Sequence, residues 1–363
     1  MSVDRKLAAL REGMAATGTD LVVLGPGPNM QWALGFHTHP DERPCLLMVT
    51  KDRAGFLMPA LNAADARARS DLPMWSWADA DGPDAALQEA LGSLGATTAR
   101  RVAVDEAMRA DFALLVLDAL PQARHALAAE TLGELRMRKD EPEREELRRN
   151  AAIADEAMTA VWAAIRPGQT EAELAAVALG VFKDHGATPL FTIVGTGPNG
   201  AYPHHHTGET VVKAGDAVVI DIGARKGAFS SDITRMALVG EPPPDYARVH
   251  AVVEEAVQAA LAAARPGVRA KEVDRAARDV IAKAGYGEFF VHRTGHGMGL
   301  EGHEPPYITE SSETVLEPGM VFSIEPGIYI PGRFGIRLED IVILRDDGPE
   351  VLSRLPRDAY RVP

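Results

Sequence analysis

Two aspartates stand where a strand sequence should be apolar. Asp221 lies within the apolar run Ala217-Val-Val-Ile-Asp-Ile-Gly, and Asp232 precedes a second apolar run. A buried carboxylate is costly unless it is paired, protonated or bound to a metal. If Lys226-Gly227 forms a two-residue turn, residues whose numbers sum to 453 face each other, which places Asp221 opposite Asp232. Like charges placed so closely require a shared proton or a cation between them.

A second pair of carboxylates follows the same pattern. Glu325 ends the apolar run that starts at Val321, the turn Pro331-Gly-Arg333 follows, and Glu339 ends the next run. A hairpin centred on Gly332 pairs residues whose numbers sum to 664, so that Glu325 faces Glu339. The spacing predicts four carboxylates in one core, which calls for about two divalent cations.

Histidine supplies a fifth candidate ligand. His296 is flanked by Gly295 and Gly297, and glycine in a strand permits a close approach of another backbone. One imidazole with four carboxylates forms an oxygen-rich set suited to Mn, Co, Fe or Zn. The other isolated histidines are interpreted as structural, namely His125, His185 and His250.

Two other segments match known motifs, but their neighbouring residues do not permit the helix that each motif requires. The segment Gly195-Thr-Gly-Pro-Asn-Gly200 matches GxGxxG, but Pro198 and the residues after it break the helix that would hold a pyrophosphate. His303-Glu304-Pro-Pro begins like a HExxH zinc motif but lacks its second histidine and its helix. Neither a dinucleotide site nor a zincin site is therefore predicted.

The elements that must position these residues are predicted to form two domains. The reason is length, since 363 residues exceed what a single core usually holds. Short apolar runs alternate with helical periodicity up to residue 135, which predicts a small α/β domain with a mixed sheet over 1–135. A charged segment at 135–150 then opens a long helix over 140–165. Residues 136–363 are predicted to be α+β, with further helices at 171–185, 246–264 and 270–284.

Composition excludes several classes of protein. The 38 Lys and Arg against 52 Asp and Glu give a net charge of −14, which argues against nucleic-acid and anionic-membrane partners. Cys45 is the single cysteine, so neither an internal disulfide nor a thiolate metal site is expected. The N-terminus does not resemble a signal peptide and no run of about 20 apolar residues occurs, so a cytoplasmic protein is expected.

The ordered motifs of the second domain resemble the creatinase, prolidase and methionine aminopeptidase family with its "pita-bread" fold. The matching segments are Ile220-Asp-Ile-Gly, Ser231-Asp-Ile-Thr-Arg, His292-Arg-Thr-Gly-His-Gly-Met-Gly, Ser323-Ile-Glu-Pro-Gly and Ile336-Arg-Leu-Glu-Asp. More weakly, Met30–Phe36 and Glu42–Pro44 resemble the creatinase-type N-terminal domain. The resemblance implies that two metal ions are held by Asp221, Asp232, His296, Glu325 and Glu339, with Asp232 and Glu339 touching both.

The resemblance also implies a hydrolase that acts on Xaa-Pro peptides, most similar to bacterial Xaa-Pro dipeptidases (prolidases). An Xaa-Pro aminopeptidase that acts on longer peptides stays open, and so does a silent peptide-binding module of the same fold. Creatinases use no metal, whereas all five ligands are present here. A homodimer is implied as well. Met236 departs from the usual threonine, and His204 to His206 form an unusual triple, which leaves the substrate preference open.

The chemistry of a metal-dependent peptidase assigns roles to further residues. Glu325 is expected to shuttle a proton from the nucleophilic water to the leaving nitrogen, with His204 as first choice and His303 as second choice for the oxyanion donor. By resemblance His292 lies near the substrate. Arg337 shares a strand face with Glu339 and is a candidate for binding a free C-terminal carboxylate or for holding the metal cluster. His205 and His206 are interpreted as solvated loop residues.

Overall fold

The first third of the chain forms a six-stranded mixed sheet with helices packed against it, in the computed structural model that describes residues 2–362. Its elements are α1 (Val3–Thr17), β1 (Leu21–Leu24), α2 (Pro28–Leu34), β2 (Leu46–Thr50), β3 (Ala54–Pro59), α3 (Ala63–Arg67), β4 (Met74–Trp77), α4 (Asp84–Leu94), β5 (Arg101–Val104), α5 (Ala110–Ala119), β6 (Arg124–Leu127) and α6 (Ala129–Met137). The strand order is β4-β3-β2-β1-β5-β6, with antiparallel pairs at β1-β2 and β2-β3 and parallel pairs elsewhere. The predicted α/β class with a mixed sheet is confirmed.

The central strands of this unit are apolar because both of their faces are covered. All residues of β1, β2 and β3 are buried, and α4 and α5 contribute Leu87, Leu91, Phe112 and Val116 to the same core. Cys45 is buried beside β2, and burial raises the pKa of its thiol to about 11. The thiol is therefore not a reactive nucleophile. This compact unit ends in sequence at Arg136 and the second begins at Met137.

The second unit carries four long helices, two of which start at clear capping boxes. They are α7 (Glu141–Ala164), α8 (Glu171–Asp184), α9 (Tyr246–Ala263) and α10 (Ala270–Lys283). Asp140 caps α7 and Thr170 caps α8, each accepting a hydrogen bond from the backbone of the glutamate three residues later. No helix within residues 2–362 has the length and apolar content needed to cross a membrane.

The strands of this unit form three sheets. They are β7 (Thr188–Thr196), β8 (Ala217–Lys226), β9 (Phe229–Ser230), β10 (Ile233–Val239), β11 (Gly295–Gly297), β12 (Glu304–Ile308), β13 (Val321–Ile324), β14 (Gly327–Ile330), β15 (Phe334–Arg337), β16 (Asp340–Arg345), β17 (Gly348–Val351) and β18 (Tyr360–Val362). The sheet orders are β18-β10-β8-β7 with β9 beside β8, then β12-β11-β13-β16-β17, and finally β14-β15. Helices α7 and α8 pack on the first sheet, and α9 and α10 pack on the second.

The register predicted for the second hairpin, which carries Glu325 and Glu339, is confirmed. Residues whose numbers sum to 664 pair between β14 and β15 and again between β13 and β16. Glu325 and Glu339 lie where this hairpin passes from the sheet that contains β13 and β16 to the sheet that contains β14 and β15. The Glu325 amide donates to the Thr294 carbonyl and the Glu339 amide donates to the Thr234 carbonyl. Glu325 is therefore held by the residue that precedes β11, and Glu339 by a residue of β10.

The register predicted for the first hairpin is wrong by two residues. Lys226 pairs with Phe229, so the turn is Gly227-Ala228 and not Lys226-Gly227. Gly227 has φ of 69° and occupies the first central position, as in a type II′ turn. Asp221 consequently faces Thr234, two residues beyond Asp232. A displacement by two residues preserves the sheet face, so the two aspartates still share one face.

Strand β11 fits between its neighbours because both residues around His296 lack a side chain. A Cβ on Gly295 would collide with the Ser323 carbonyl oxygen, and one on Gly297 would collide with the Pro305 carbonyl oxygen. The predicted close backbone approach at His296 is therefore confirmed.

Candidate metal centre

Five strands or strand ends bring the predicted ligands together. Asp221 lies in β8, Asp232 just before β10, His296 in β11, Glu325 after β13 and Glu339 between β15 and β16. Their side chains form two overlapping groups, Asp221-Asp232-Glu339 and His296-Glu325-Glu339, within which the candidate ligand atoms lie no more than 4.8 Å apart. A third group joins Asp232 and His296 to His303. All of the predicted ligands are buried except Glu325, whose side chain is 14% exposed.

The oxygen atoms of this cluster are incompletely satisfied. Oδ1 of Asp221, Oδ1 of Asp232 and Oε1 of Glu339 are buried and accept no hydrogen bond from residues 2–362. An unpaired buried carboxylate oxygen costs free energy, and several on one face would destabilise the fold if nothing bound them. Divalent cations fit these donors in number, charge and chemical type.

The pKa values reflect the same crowding of negative charge. Burial is the largest cause that raises the pKa of Asp232 and Glu339 well above the usual range, and neighbouring carboxylates raise both further. Burial likewise raises the pKa of Glu325 to about 7, although the Arg337 guanidinium opposes this shift. Without a cation, the cluster therefore retains protons near neutral pH.

His296 is held as a neutral imidazole with one nitrogen facing the carboxylates. Its Nδ1 lies 3.1 Å from the Gly297 carbonyl oxygen and donates to it. Its Nε2 lies 3.2 Å from Oε1 of Glu325 and 3.9 Å from Oδ2 of Asp232. Burial lowers the pKa of His296 to about 3, with a smaller contribution from His303. The lone pair on Nε2 is therefore available to a metal.

Arg337 is buried beneath the carboxylates. Its Nη2 donates to Oδ2 of Asp221 at 2.5 Å, its Nε donates to Oγ1 of Thr234 at 3.1 Å, and its Nη1 donates to the hydroxyl of Tyr329 at 2.8 Å. Nη1 also lies 3.3 Å from the carbonyl oxygen of Pro203. The guanidinium thus orients the cluster. Of the two roles considered for Arg337, these contacts favour holding the cluster over binding a substrate carboxylate.

Tyr329 connects this arginine to His292. The Nδ1 of His292 donates to the Arg293 carbonyl oxygen at 2.7 Å, so its Nε2 accepts from the Tyr329 hydroxyl at 2.7 Å. Burial is the main cause that lowers the pKa of His292 to about 4. Both nitrogens of His292 are occupied, which leaves only its ring face for a substrate.

The sequence interpretation missed Tyr329, although a signal for it existed. In the register that sums to 664, Tyr329 faces Gly335 and shares the sheet face of Glu325 and Arg337. A tyrosine on the face that carries the ligands was therefore identifiable from the same hairpin.

A cavity of about 550 Å³ opens over the five candidate ligands. Its remaining lining comprises Phe191, Ile193, Pro203, His204, His292, Arg293, His303 and Arg337. His204 and His303 are exposed at this cavity, and the His303 ring lies 3.8 Å from the His296 ring between centroids. Nδ1 of His303 accepts from Nη2 of Arg293 at 3.1 Å. Every candidate site residue predicted from the sequence thus lines one cavity.

The histidines outside this cavity differ from one another. The interpretation of His205 as a solvated loop residue is wrong, because its Nε2 donates to the buried carboxylate of Glu171 at 2.7 Å. His206 is exposed, as expected. The structural interpretation suits His185, bonded to Glu156 at 2.8 Å, and His250, bonded to the Arg357 carbonyl.

The two rejected motifs have structural roles. The GxGxxG segment ends β7 and continues as a short 3-10 helix over Gly197–Ala201, so no helix of phosphate-binding length begins there. Glu304 of the HExx segment is buried and forms an ion pair with Lys139 at 2.6 Å. Neither segment supports the site that its motif would suggest.

Comparison with known proteins gives matches over nearly the whole chain. Residues 145–346 match metallopeptidase family M24, and residues 6–138 match the creatinase/prolidase N-terminal domain. The chain is 40% identical to the probable dipeptidase PepE of Mycobacterium tuberculosis over 99% of this chain and 96% of that protein. It is 33% identical to the Xaa-Pro dipeptidase of Pyrococcus horikoshii over 98% and 99%.

Solved structures agree with these matches. The crystal structure of dipeptidase PepE from Mycobacterium ulcerans superimposes with a TM-score of 0.94 at 38% identity, covering 99% of this chain and 98% of that one. The expected combination of a creatinase-type N-terminal domain and a pita-bread domain is confirmed.

Proposed function

The chain belongs to metallopeptidase family M24, and we propose on that premise that it hydrolyses Xaa-Pro dipeptides with two divalent metal ions. The observation that carries this proposal is the set of buried carboxylate oxygens that accept no hydrogen bond within residues 2–362 and lie on one face beneath one cavity. The similarity of the chain to the Xaa-Pro dipeptidase of Pyrococcus horikoshii, over nearly the full length of both chains, supports the choice of substrate.

The metal ligands in this proposal are Asp221, Asp232, His296, Glu325 and Glu339. As the family resemblance implies, Asp232 and Glu339 would touch both ions, and the close approach of their oxygen atoms to those of Asp221 supports this. Bound divalent cations supply Lewis acidity toward the scissile carbonyl and a water of lowered pKa. Mn, Co and Zn all suit this mixture of carboxylate and imidazole.

Glu325 is the proposed proton carrier. Its Oε1 accepts from Oγ of Ser323 at 2.9 Å, which fixes the orientation of the carboxylate at the floor of the cavity. Burial raises its pKa to about 7 in the metal-free protein, and bound cations would lower this pKa and keep the carboxylate ionised, the state in which it can accept a proton. It removes a proton from the nucleophilic water and delivers it to the proline nitrogen, which has no hydrogen of its own.

His204 and His303 are the proposed donors to the developing oxyanion, because both are exposed to the cavity from its rim. His292 instead presents its ring face, and together with Phe191 and Ile193 it gives the cavity an apolar wall suited to a pyrrolidine ring. With Arg337 engaged below the cluster, Arg293 is the proposed partner of a free substrate carboxylate.

The decisive experiment combines metal removal with a comparison of two substrates. Chelator-treated protein should lose hydrolysis of Ala-Pro and regain it with Mn or Co, whereas Glu339→Gln should regain none. Cleavage of Ala-Pro well above that of Ala-Pro-Ala supports a dipeptidase; the reverse identifies an aminopeptidase. Peptide binding without hydrolysis under any metal would contradict the proposal in favour of a binding module.

We also propose the homodimer that the family resemblance implies. Sedimentation of the metal-loaded protein should give twice the mass of 38.8 kDa. A monomer with full activity would contradict this.

A further inference from the structure

The residue after His204 is anchored to a fully buried carboxylate. Glu171 is the first residue of α8, and its side chain has no exposed surface. Its Oε2 accepts from Nε2 of His205 at 2.7 Å and from the Gly208 amide at 3.2 Å. Its Oε1 accepts from the Thr196 amide at 2.8 Å and from the Asn199 side chain at 2.9 Å. Four donors around one loop therefore converge on a single carboxylate.

On its opposite side, the same loop contacts an arginine that also holds the proposed metal cluster. The carbonyl oxygen of Pro203 lies 3.3 Å from Nη1 of Arg337. The His205 amide donates to the Tyr202 carbonyl at 3.1 Å, which closes a four-residue turn with Pro203 and His204 at its centre. His204 itself is exposed at the cavity. Its position therefore depends on the anchors of the residues beside it.

We propose that Glu171 and His205 are positioning residues that hold His204 at the place where the oxyanion develops. This inference rests on the proposed function. A donor to an oxyanion acts only within hydrogen-bond distance of an atom that exists in the transition state, so a displacement of about 1 Å removes most of its benefit. A loop fixed only by its own turn would not meet that tolerance, whereas a buried carboxylate with four donors does.

The first test compares substitutions along the histidine triple. His205→Ala and Glu171→Gln should each lower kcat for Ala-Pro by about tenfold, as expected for a misplaced oxyanion donor, with little change in KM. His205→Gln keeps an N–H donor and should recover part of the loss. His206→Ala is the matched control and should keep wild-type kcat. A fall in kcat for His206→Ala equal to that for His205→Ala would overturn the proposal.

A double-mutant cycle separates positioning from general stabilisation. If His205 acts through His204, His204→Ala/His205→Ala should be no slower than His204→Ala alone. Losses that multiply in the double variant would overturn the proposal. Tm and metal content, measured on every variant, confirm that the compared proteins are folded and loaded.

Amide hydrogen exchange gives a readout that needs no activity. His205→Ala should accelerate exchange in a peptide spanning residues 204–208 and leave a peptide from α10 unchanged. Unchanged exchange in the loop would contradict the anchoring. If the wild-type protein cleaves no Xaa-Pro peptide, the proposed function fails, whereas the exchange result still decides whether Glu171 and His205 fix this loop.

Discussion

Glu339 and Asp340 are adjacent in sequence, are both buried, and lie in opposite electrostatic environments. Asp340 accepts from Nη2 of Arg235 on Oδ1 and from Nη1 of Arg357 on Oδ2, each at 2.7 Å. Glu339 accepts from Oγ1 of Thr234 on Oε2 at 2.7 Å, while its Oε1 accepts no hydrogen bond from residues 2–362. Consecutive side chains of a strand point to opposite faces, so two arginines neutralise Asp340 on one face, whereas on the other face Arg337 alone meets four carboxylates.

This difference shows which buried charges indicate a site. Burial of a charge does not by itself indicate a site, because Asp340 and Arg235 are both fully buried and pair with each other. The informative feature is a buried oxygen without a donor, repeated on several carboxylates of one face. On the paired face the protein supplies its own counter-charges. On the unpaired face it leaves room for cations from solution.

The largest expected effect follows from removing charge on the unpaired face. Glu339→Gln should lower kcat/KM for Ala-Pro by about 10³-fold or more, because a ligand of both proposed ions is lost. The fold should be retained, since removing one of several crowded carboxylates relieves repulsion in the metal-free protein. Activity is measured with saturating Mn and stability by thermal unfolding after chelation. If Glu339→Gln bound as much metal as the wild-type protein and were equally active, Glu339 would not be a metal ligand.

The matched substitution on the paired face should act on stability. Asp340→Asn leaves the buried Arg235 without its ionic partner, which is expected to lower the free energy of unfolding by about 3–5 kcal/mol. Urea unfolding measures this change. Activity per folded molecule should fall far less than in Glu339→Gln. A loss of metal binding with unchanged stability would reverse the distinction between the two faces.

Arg337 is expected to have an intermediate effect, because it contacts the cluster from below. Arg337→Ala should lower kcat by about 10–100-fold, the range typical of residues that orient a metal ligand. Arg337→Lys keeps the charge without the fork and should lose nearly as much. Steady-state kinetics together with bound metal per chain measure the effect. Wild-type activity in Arg337→Ala would eliminate the role.

The smallest effect concerns pH. Burial raises the pKa of Glu325 from 4.5 to about 7 in the metal-free protein, so a proton competes with the metal below pH 7. A folded pKa above the unfolded one stabilises the metal-free fold at pH below about 4.5, and this stabilisation is lost as the pH rises through 7. The Tm difference between Mn-loaded and stripped protein should therefore widen from pH 5.5 to 7.5. A constant difference would contradict this competition.

Much of the fold was predictable because the signals were local. The helix predicted over 140–165 corresponds to α7, and the one predicted over 171–185 corresponds to α8. The half-exposed strands β4 and β6 were not predicted, since neither Met74–Trp77 nor Arg124–Leu127 is a continuous apolar run. Their positions depend on pairing with distant strands, which a single sequence does not report.

The site was predictable to the extent that hairpin register could be worked out. The Glu325 hairpin contains one turn, with Gly332 at its centre, and its register was correct. In the Asp221 hairpin, Gly227 could occupy either central position of the turn, and the wrong one was chosen. His205 was misjudged for another reason. Its partner Glu171 lies 34 residues earlier, on a different element.

The glycines on either side of His296 restrict the paths along which this protein can evolve. Every missense change at the Gly295 or Gly297 codon adds a Cβ where a neighbouring carbonyl already stands. In a saturation library selected for growth on Xaa-Pro peptides, these two positions should be as intolerant as the ligand between them, although neither carries a functional group. Whatever residue replaces the proposed ligand His296, the backbone of this strand would stay equally close to its neighbours, so both glycines would still be required.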